Sequence, residues 1–179
     1  MKQFLFAVTA AIFSFSLFSQ EEVRPVSLEA DYFYGSILEH NPDIQHLITG
    51  HPTGFILSYN KKSYGLKEWE RRYNYPDWGF TLAYQDLQNE YLGHSIGAYS
   101  HINWYFLNRN LMVRVGQGIA YVDNPFDAET NPNNNAYGSS LLSSTILKAN
   151  FVRENIWKGL GFHAGLTLIH YSKIGRAHV

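Results

Sequence analysis

From Val26 onward the chain alternates apolar with polar or small side chains at a period of two, interrupted by clusters of turn-forming residues. Val26, Leu28, Ala30, Tyr32 and Tyr34 share one face of a first segment, and Ser27, Glu29 and Asp31 share the other. A short second segment runs from Gly54 to Asn60. In the third, Trp78, Phe80, Leu82 and Tyr84 alternate with Gly79, Thr81, Ala83 and Gln85. The fourth reaches about Leu107, with His94, Ile96, Ala98, Ile102, Trp104 and Phe106 on one side and Gly93, Ser95, Gly97, His101 and Asn103 on the other. Leu111, Val113, Val115, Ile119 and Tyr121 mark a fifth, opposite Arg114, Gly116, Gly118 and Ala120. A weaker sixth spans Ser139 to Phe151, and Val152 to Lys158 leads into a seventh, Gly159 to Ser172. Alternation of this kind predicts β-strands, and no stretch sustains the 3.6-residue period of a helix.

The connections carry turn chemistry. Glu39–Thr53 holds Asn41-Pro42-Asp43 and Gly50-His51-Pro52, Asn108-Arg109-Asn110 makes a tight turn, and Asp123–Gly138 centres on Asn131-Pro132-Asn133-Asn134-Asn135. Successive strands joined in this way predict an antiparallel meander, and the small residues on one face suit the crowded interior of a narrow barrel. The expected fold class is therefore all-β: an antiparallel up-and-down outer-membrane β-barrel, with eight strands expected because bacterial barrels have even numbers, and about seven present. With the first residues on the periplasmic side, the odd-numbered connections are extracellular, and the long first and fifth and the short fourth fit. The charged, aromatic second connection, Lys61–Asp77, is longer than a periplasmic turn calls for, and the third, near Gln88-Asn89-Glu90, is short.

Composition narrows the class. Aromatics are 16% of 179 residues, yet mean hydropathy is only −0.24. A helical membrane protein needs apolar runs of about 20 residues, whereas a transmembrane barrel keeps modest hydropathy and adds aromatic girdles; a soluble β protein also fits. A net charge of −1 provides no polybasic footprint for nucleic acid. The absence of cysteine excludes disulfides and thiolate metal sites. Lys2, the apolar run Phe4–Phe18 and Ser19 read as a signal peptide over residues 1–19, so the protein is expected to be exported. A barrel domain is expected over residues 20–172. The ending Ile174-Gly175-Arg176-Ala177-His178-Val179 lacks a strand pattern and matches, in one reading frame, the translation of a sequencing-adapter sequence. Residues 173–179 are therefore read as a non-native tail, the alternative being a native basic one.

The candidate chemistry lies in the seventh segment. Leu160, Phe162, Ala164, Leu166 and Leu168 form an apolar stripe that ends in His170 and Ser172. Residues i and i+2 of a strand lie on the same side, about 6.6–7 Å apart at Cα, within side-chain reach. A serine is a weak nucleophile until a neighbouring base takes its proton, so if the stripe faces lipid the pair is a candidate nucleophile and base aimed at the membrane; the alternative is an interfacial histidine at a barrel rim. His40, His46 and His51 share a loop but no compact ligand spacing, so neither a metal nor a cofactor is expected. Arg114, Glu29 and Asp31 are expected to make a polar barrel interior, and Trp78, Trp104, Phe106 and Tyr121 an aromatic girdle.

Leu168-Ile169-His170-Tyr171-Ser172 resembles the His-x-Ser motif of the PagL-type lipid A deacylase family, the acyloxyacyl hydrolases. Asp31-Tyr32-Phe33-Tyr34-Gly35, Leu38-Glu39-His40-Asn41-Pro42, Gly116-Gln117-Gly118-Ile119-Ala120-Tyr121 and Asn131-Pro132 are similar to its Bacteroidetes members. The resemblance implies an eight-stranded outer-membrane barrel with its active site on the lipid-facing wall, hydrolysing an ester-linked acyl chain of lipid A in lipopolysaccharide. It makes His170 the general base and Ser172 the nucleophile. Lys173 stands where the family has an oxyanion-hole Asn, and the family's orienting Glu would lie beyond residue 179, so a chain ending here is expected to be inactive. The implied partners are lipid A and outer-membrane lipid, with a homodimer left open. The alternative function is a non-catalytic outer-membrane barrel with a structural or binding role.

Overall fold

A computed structural model describes residues 26–39 and 42–173; the signal-peptide segment and residues 174–179 lie outside them. Seven strands follow one another: β1 (Val26–Tyr34), β2 (Thr53–Lys61), β3 (Asp77–Asp86), β4 (His94–Phe106), β5 (Leu111–Val122), β6 (Leu141–Trp157) and β7 (Leu160–Lys173). They form one sheet in the order β1 to β7, each strand antiparallel to the next. This is the up-and-down meander that the alternation predicts. Connections after β1, β3 and β5 gather at one end, here the upper rim, and those after β2, β4 and β6 at the lower rim.

The sheet curls until its first strand meets its last across the interior. Arg114 of β5 reaches Glu29 of β1 at 2.7 Å, Lys148 of β6 reaches Asp31 of β1 at 2.8 Å, and His163 of β7 also hydrogen-bonds Asp31. Among the described residues β1 and β7 share no backbone ladder, so the barrel is incomplete at that seam.

Which face points inward follows from the alternation. Leucines, isoleucines and aromatics such as Leu57, Phe80, Ile96, Ile119 and Leu166 cover the outer wall, while Ser58, Asn60, Thr81, His101, Asn103, Arg114, Lys148 and Asn150 are buried inside. Buried polar groups are stable only when bonded, and this interior is knitted. Arg114 Nε donates to Asn103 Oδ1 at 2.7 Å, Nη1 to Ser58 Oγ at 2.6 Å, and Nη2 to Asn60 Oδ1 at 3.0 Å. His101 bridges Thr81 and Asn60 at 2.9 and 2.8 Å. Glu29, Asp31 and Arg114 thus occupy the polar interior foreseen for them. Gly118 permits the close β4–β5 packing, since a Cβ there would lie 1.9 Å from the Ala98 carbonyl oxygen.

Above this layer an apolar plug closes the upper rim. Ile44 and Leu47, from a 3-10 turn at Pro42–Leu47, pack with Leu87, Leu92, Val122, Tyr137 and Leu142. Asn89 ties the connections together: its amide donates to Leu47 O and Thr49 Oγ1, and its oxygen accepts from the backbone of Tyr91 and Leu92.

Three boundaries differ from those the pattern suggests. β6 continues past Phe151 to Trp157, because Lys158 and Gly159, with φ of 45° and 85°, close a tight turn of the kind that matches strand twist. The linker after β2 contains a short helix, α1 (Glu68–Arg72), whose Glu70 side chain accepts from the Lys67 backbone at 3.4 Å. The 3-10 turn fills the first connection. Elements this short have no room to show a helical period.

Candidate active site on the outer wall

β7 positions the two sequence-predicted residues. Its inward positions His163, Ile169 and Tyr171 are partly buried, while Leu166, Leu168, His170 and Ser172 face outward and are exposed. Three inward contacts fix the upper end of the strand. The Tyr171 hydroxyl pairs with Ser95 Oγ at 2.9 Å, its ring meets Tyr137 edge-on with centroids 5.5 Å apart, and Ser144 Oγ donates to the His170 carbonyl at 3.1 Å. The backbone on either side of Tyr171 is therefore held from inside, while its neighbours project outward.

Ser172 Oγ lies 3.1 Å from His170 Nε2, and in the tautomer that leaves Nε2 bare the hydroxyl donates to it. That is the geometry in which a histidine can take a serine's proton. Among the described residues no carboxylate contacts the His170 imidazole, so the third member of such an arrangement is not among them.

Around the pair lies a group of polar residues that the sequence pattern alone had not singled out. Cross-strand register aligns Ser100, Gln117, Thr145 and His170 in one row, with Ser143 directly opposite Ser172 in the next. All face outward. Thr145 Oγ1 donates to Gln117 Oε1 at 2.6 Å, and Gln117 Nε2 donates to Ser143 Oγ at 3.0 Å. The signal was present in the sequence as polar interruptions of three apolar stripes, at Ser100, Gln117, and Ser143 with Thr145. Only the register shows that these interruptions meet.

Other chemistry-bearing groups have structural partners. His46 Nε2 is 2.9 Å from the Asn133 carbonyl oxygen and His51 Nδ1 is 3.1 Å from that of Gly35, while His40 lies outside the described residues. Glu29, Asp31 and His163 bring their ligand atoms within 4.8 Å of one another. However, Arg114 and Lys148 already sit against the two carboxylates, and a divalent cation would have to displace or adjoin those charges. At the upper rim His94 pairs with Asp123 at 2.8 Å beneath the stacked ring of Tyr84. Slight burial opposes ionisation of Asp123, but hydrogen bonds from the His94 backbone and imidazole outweigh it and hold the carboxyl below its ordinary range. Trp78, Phe106 and Tyr121 are exposed on the outer wall near its rims.

A family model described as lipid A 3-O-deacylase (PagL) matches residues 53–177, a stretch that takes in β2 to β7 and the first residues after them. No curated protein and no solved structure matches the chain.

Proposed function

The chain belongs to the lipid A 3-O-deacylase (PagL) family, and on that footing we propose that it is an outer-membrane serine esterase that uses Ser172 and His170 to remove an ester-linked acyl chain from lipid A. The observation that carries this reading is the 3.1 Å contact between Ser172 Oγ and His170 Nε2 on the outward, apolar-flanked face of β7. A nucleophile on that wall meets a lipid substrate without drawing it out of the membrane.

His170 takes the Ser172 proton as Oγ attacks the ester carbonyl carbon, and the carbonyl electrons move onto oxygen to give a tetrahedral oxyanion. Collapse of the oxyanion breaks the bond to the sugar oxygen, which leaves with the proton held by His170. The acyl group now on Ser172 is transferred to water in the reverse sequence, with His170 again the base, releasing a fatty acid and restoring both residues. The family resemblance implies a glutamate that orients His170, a role no carboxylate among the described residues fills. Exported location and a lipopolysaccharide substrate follow from the same reading.

Mass spectrometry of lipid A from cells expressing the full-length protein tests it. Loss of one ester-linked acyl chain is expected, and its retention with Ser172→Ala or His170→Ala. Unchanged acylation in cells carrying the unaltered protein would overturn the esterase reading.

A further inference from the structure

Between its two rims the outer wall is apolar except in one place. Apart from tyrosines toward the rims, the outward polar side chains in the middle of the wall among the described residues are Ser100, Gln117, Ser143, Thr145, His170 and Ser172, and they are contiguous. A polar patch facing hydrocarbon is costly unless its groups are bonded.

Its hydrogen bonds run in one direction. Thr145 gives its proton to Gln117, and Gln117 gives an amide proton to Ser143. Ser143 therefore accepts, and its own hydroxyl proton has no partner among the described residues. Directly opposed residues of an antiparallel pair have Cβ atoms about 4.5–5.5 Å apart, and Ser143 stands directly opposite Ser172. A carbonyl whose carbon lies over Ser172 Oγ has its oxygen within reach of the Ser143 hydroxyl.

We propose that Ser143, oriented by Gln117 and Thr145, donates a hydrogen bond to the ester carbonyl oxygen attacked by Ser172 and to the oxyanion that forms there. The proton stays on Ser143 throughout. The donor belongs to β6, a different strand from the nucleophile, so the β6–β7 register sets its aim. Donation through a chain of hydrogen bonds also strengthens the last one, because each bond polarises the next. This inference rests on Ser172 being the nucleophile.

The test is a steady-state comparison of the full-length protein and its variants in vesicles containing lipid A, with folding of each barrel checked by heat-modifiable gel mobility. Ser143→Ala is expected to lower kcat roughly 100-fold, the usual loss for one oxyanion donor, with KM changed by less than about twofold because the bond strengthens in the transition state. Ser143→Thr keeps a hydroxyl at the same place and restores most of the rate. Gln117→Leu falls between, since the Ser143 hydroxyl survives without its orienting partner. A folded Ser143→Ala protein with undiminished kcat, beside an inactive Ser172→Ala protein, would overturn the role of Ser143 alone. Activity in Ser172→Ala would overturn the nucleophile assignment and this inference together.

Discussion

Arg114 offers the sharpest test of how the barrel is held in its curl. Its guanidinium is fully buried and contacts four strands: Glu29 of β1, Ser58 and Asn60 of β2, Thr81 of β3 and Asn103 of β4, from its own place on β5. Arg114→Met keeps much of the volume and removes every donor. Glu29 is left inside the barrel without its cation, and Asn60 and Asn103 each lose a donor. Breaking a buried ion pair by removing one partner costs about 3–5 kcal/mol. The Glu29 side chain retains 16% of its exposure and so keeps some hydration, which places the expected loss near the lower end, about 3 kcal/mol. Pairing the change with Glu29→Gln removes the stranded charge and should recover about half of that loss, a coupling that a double-mutant cycle reads directly. Denaturant unfolding of the barrel in lipid vesicles, followed by tryptophan fluorescence, supplies the free energies. A loss below about 1 kcal/mol for Arg114→Met would refute the reasoning, because a water-filled lumen would then be solvating Glu29 as well as the guanidinium does.

Two further predictions concern the outer wall and the upper rim. Leu57 lies at the middle of β2 and faces outward with 56% exposure, so Leu57→Arg should destabilise the vesicle-embedded barrel by about 2–4 kcal/mol, measured by the same unfolding assay; a soluble barrel would tolerate the change. The depressed folded-state pKa of Asp123 gives a stabilising contribution that is fully present above its ordinary value of 3.8 and is lost only as pH falls through the lower folded value. Hydrogen exchange of residues 123–140 should therefore accelerate on acidification through that window, and Asp123→Asn should remove this component of the pH dependence.

The alternation made most of the sheet legible because a period of two is a direct consequence of pleating, and a buried face punishes any slip of register. Val26–Tyr34, the inward Arg114 and the outward Leu166 could be placed from that alone. The same logic put His170 and Ser172 on one face. The lower end of β6 was not legible. Val152 to Lys158 read as the lead into the seventh segment, and only the pairing of Arg153 with Phe162 and of Trp157 with Leu160, on either side of an irregularity in the ladder, extends the strand through them. Nor was the partnership of Ser143, Thr145 and Gln117 legible, since residues 26 and 28 positions apart become neighbours only once β5–β6 register is known. A single outward serine or glutamine in a strand carries no signal by itself. Its meaning comes from the residues beside it on the next strand.

The interior also bears on where chemistry can occur. A barrel of this strand number has a lumen just wide enough for side chains, and here Asn60, Asn103, Arg114, Lys148 and Asn150 fill it while the Leu47–Val122–Leu142 cluster closes the upper rim. What the packed lumen supplies is stiffness: Tyr99 donates to Ser144, Ser144 donates to the His170 carbonyl, and Tyr171 is pinned to Ser95 and Tyr137. A site carried on strands whose inward neighbours are locked holds its geometry better than one carried on loops. The interior thus serves the outer wall, because the alternation that turns Tyr171 into the plug turns His170 and Ser172 out onto that exposed apolar face.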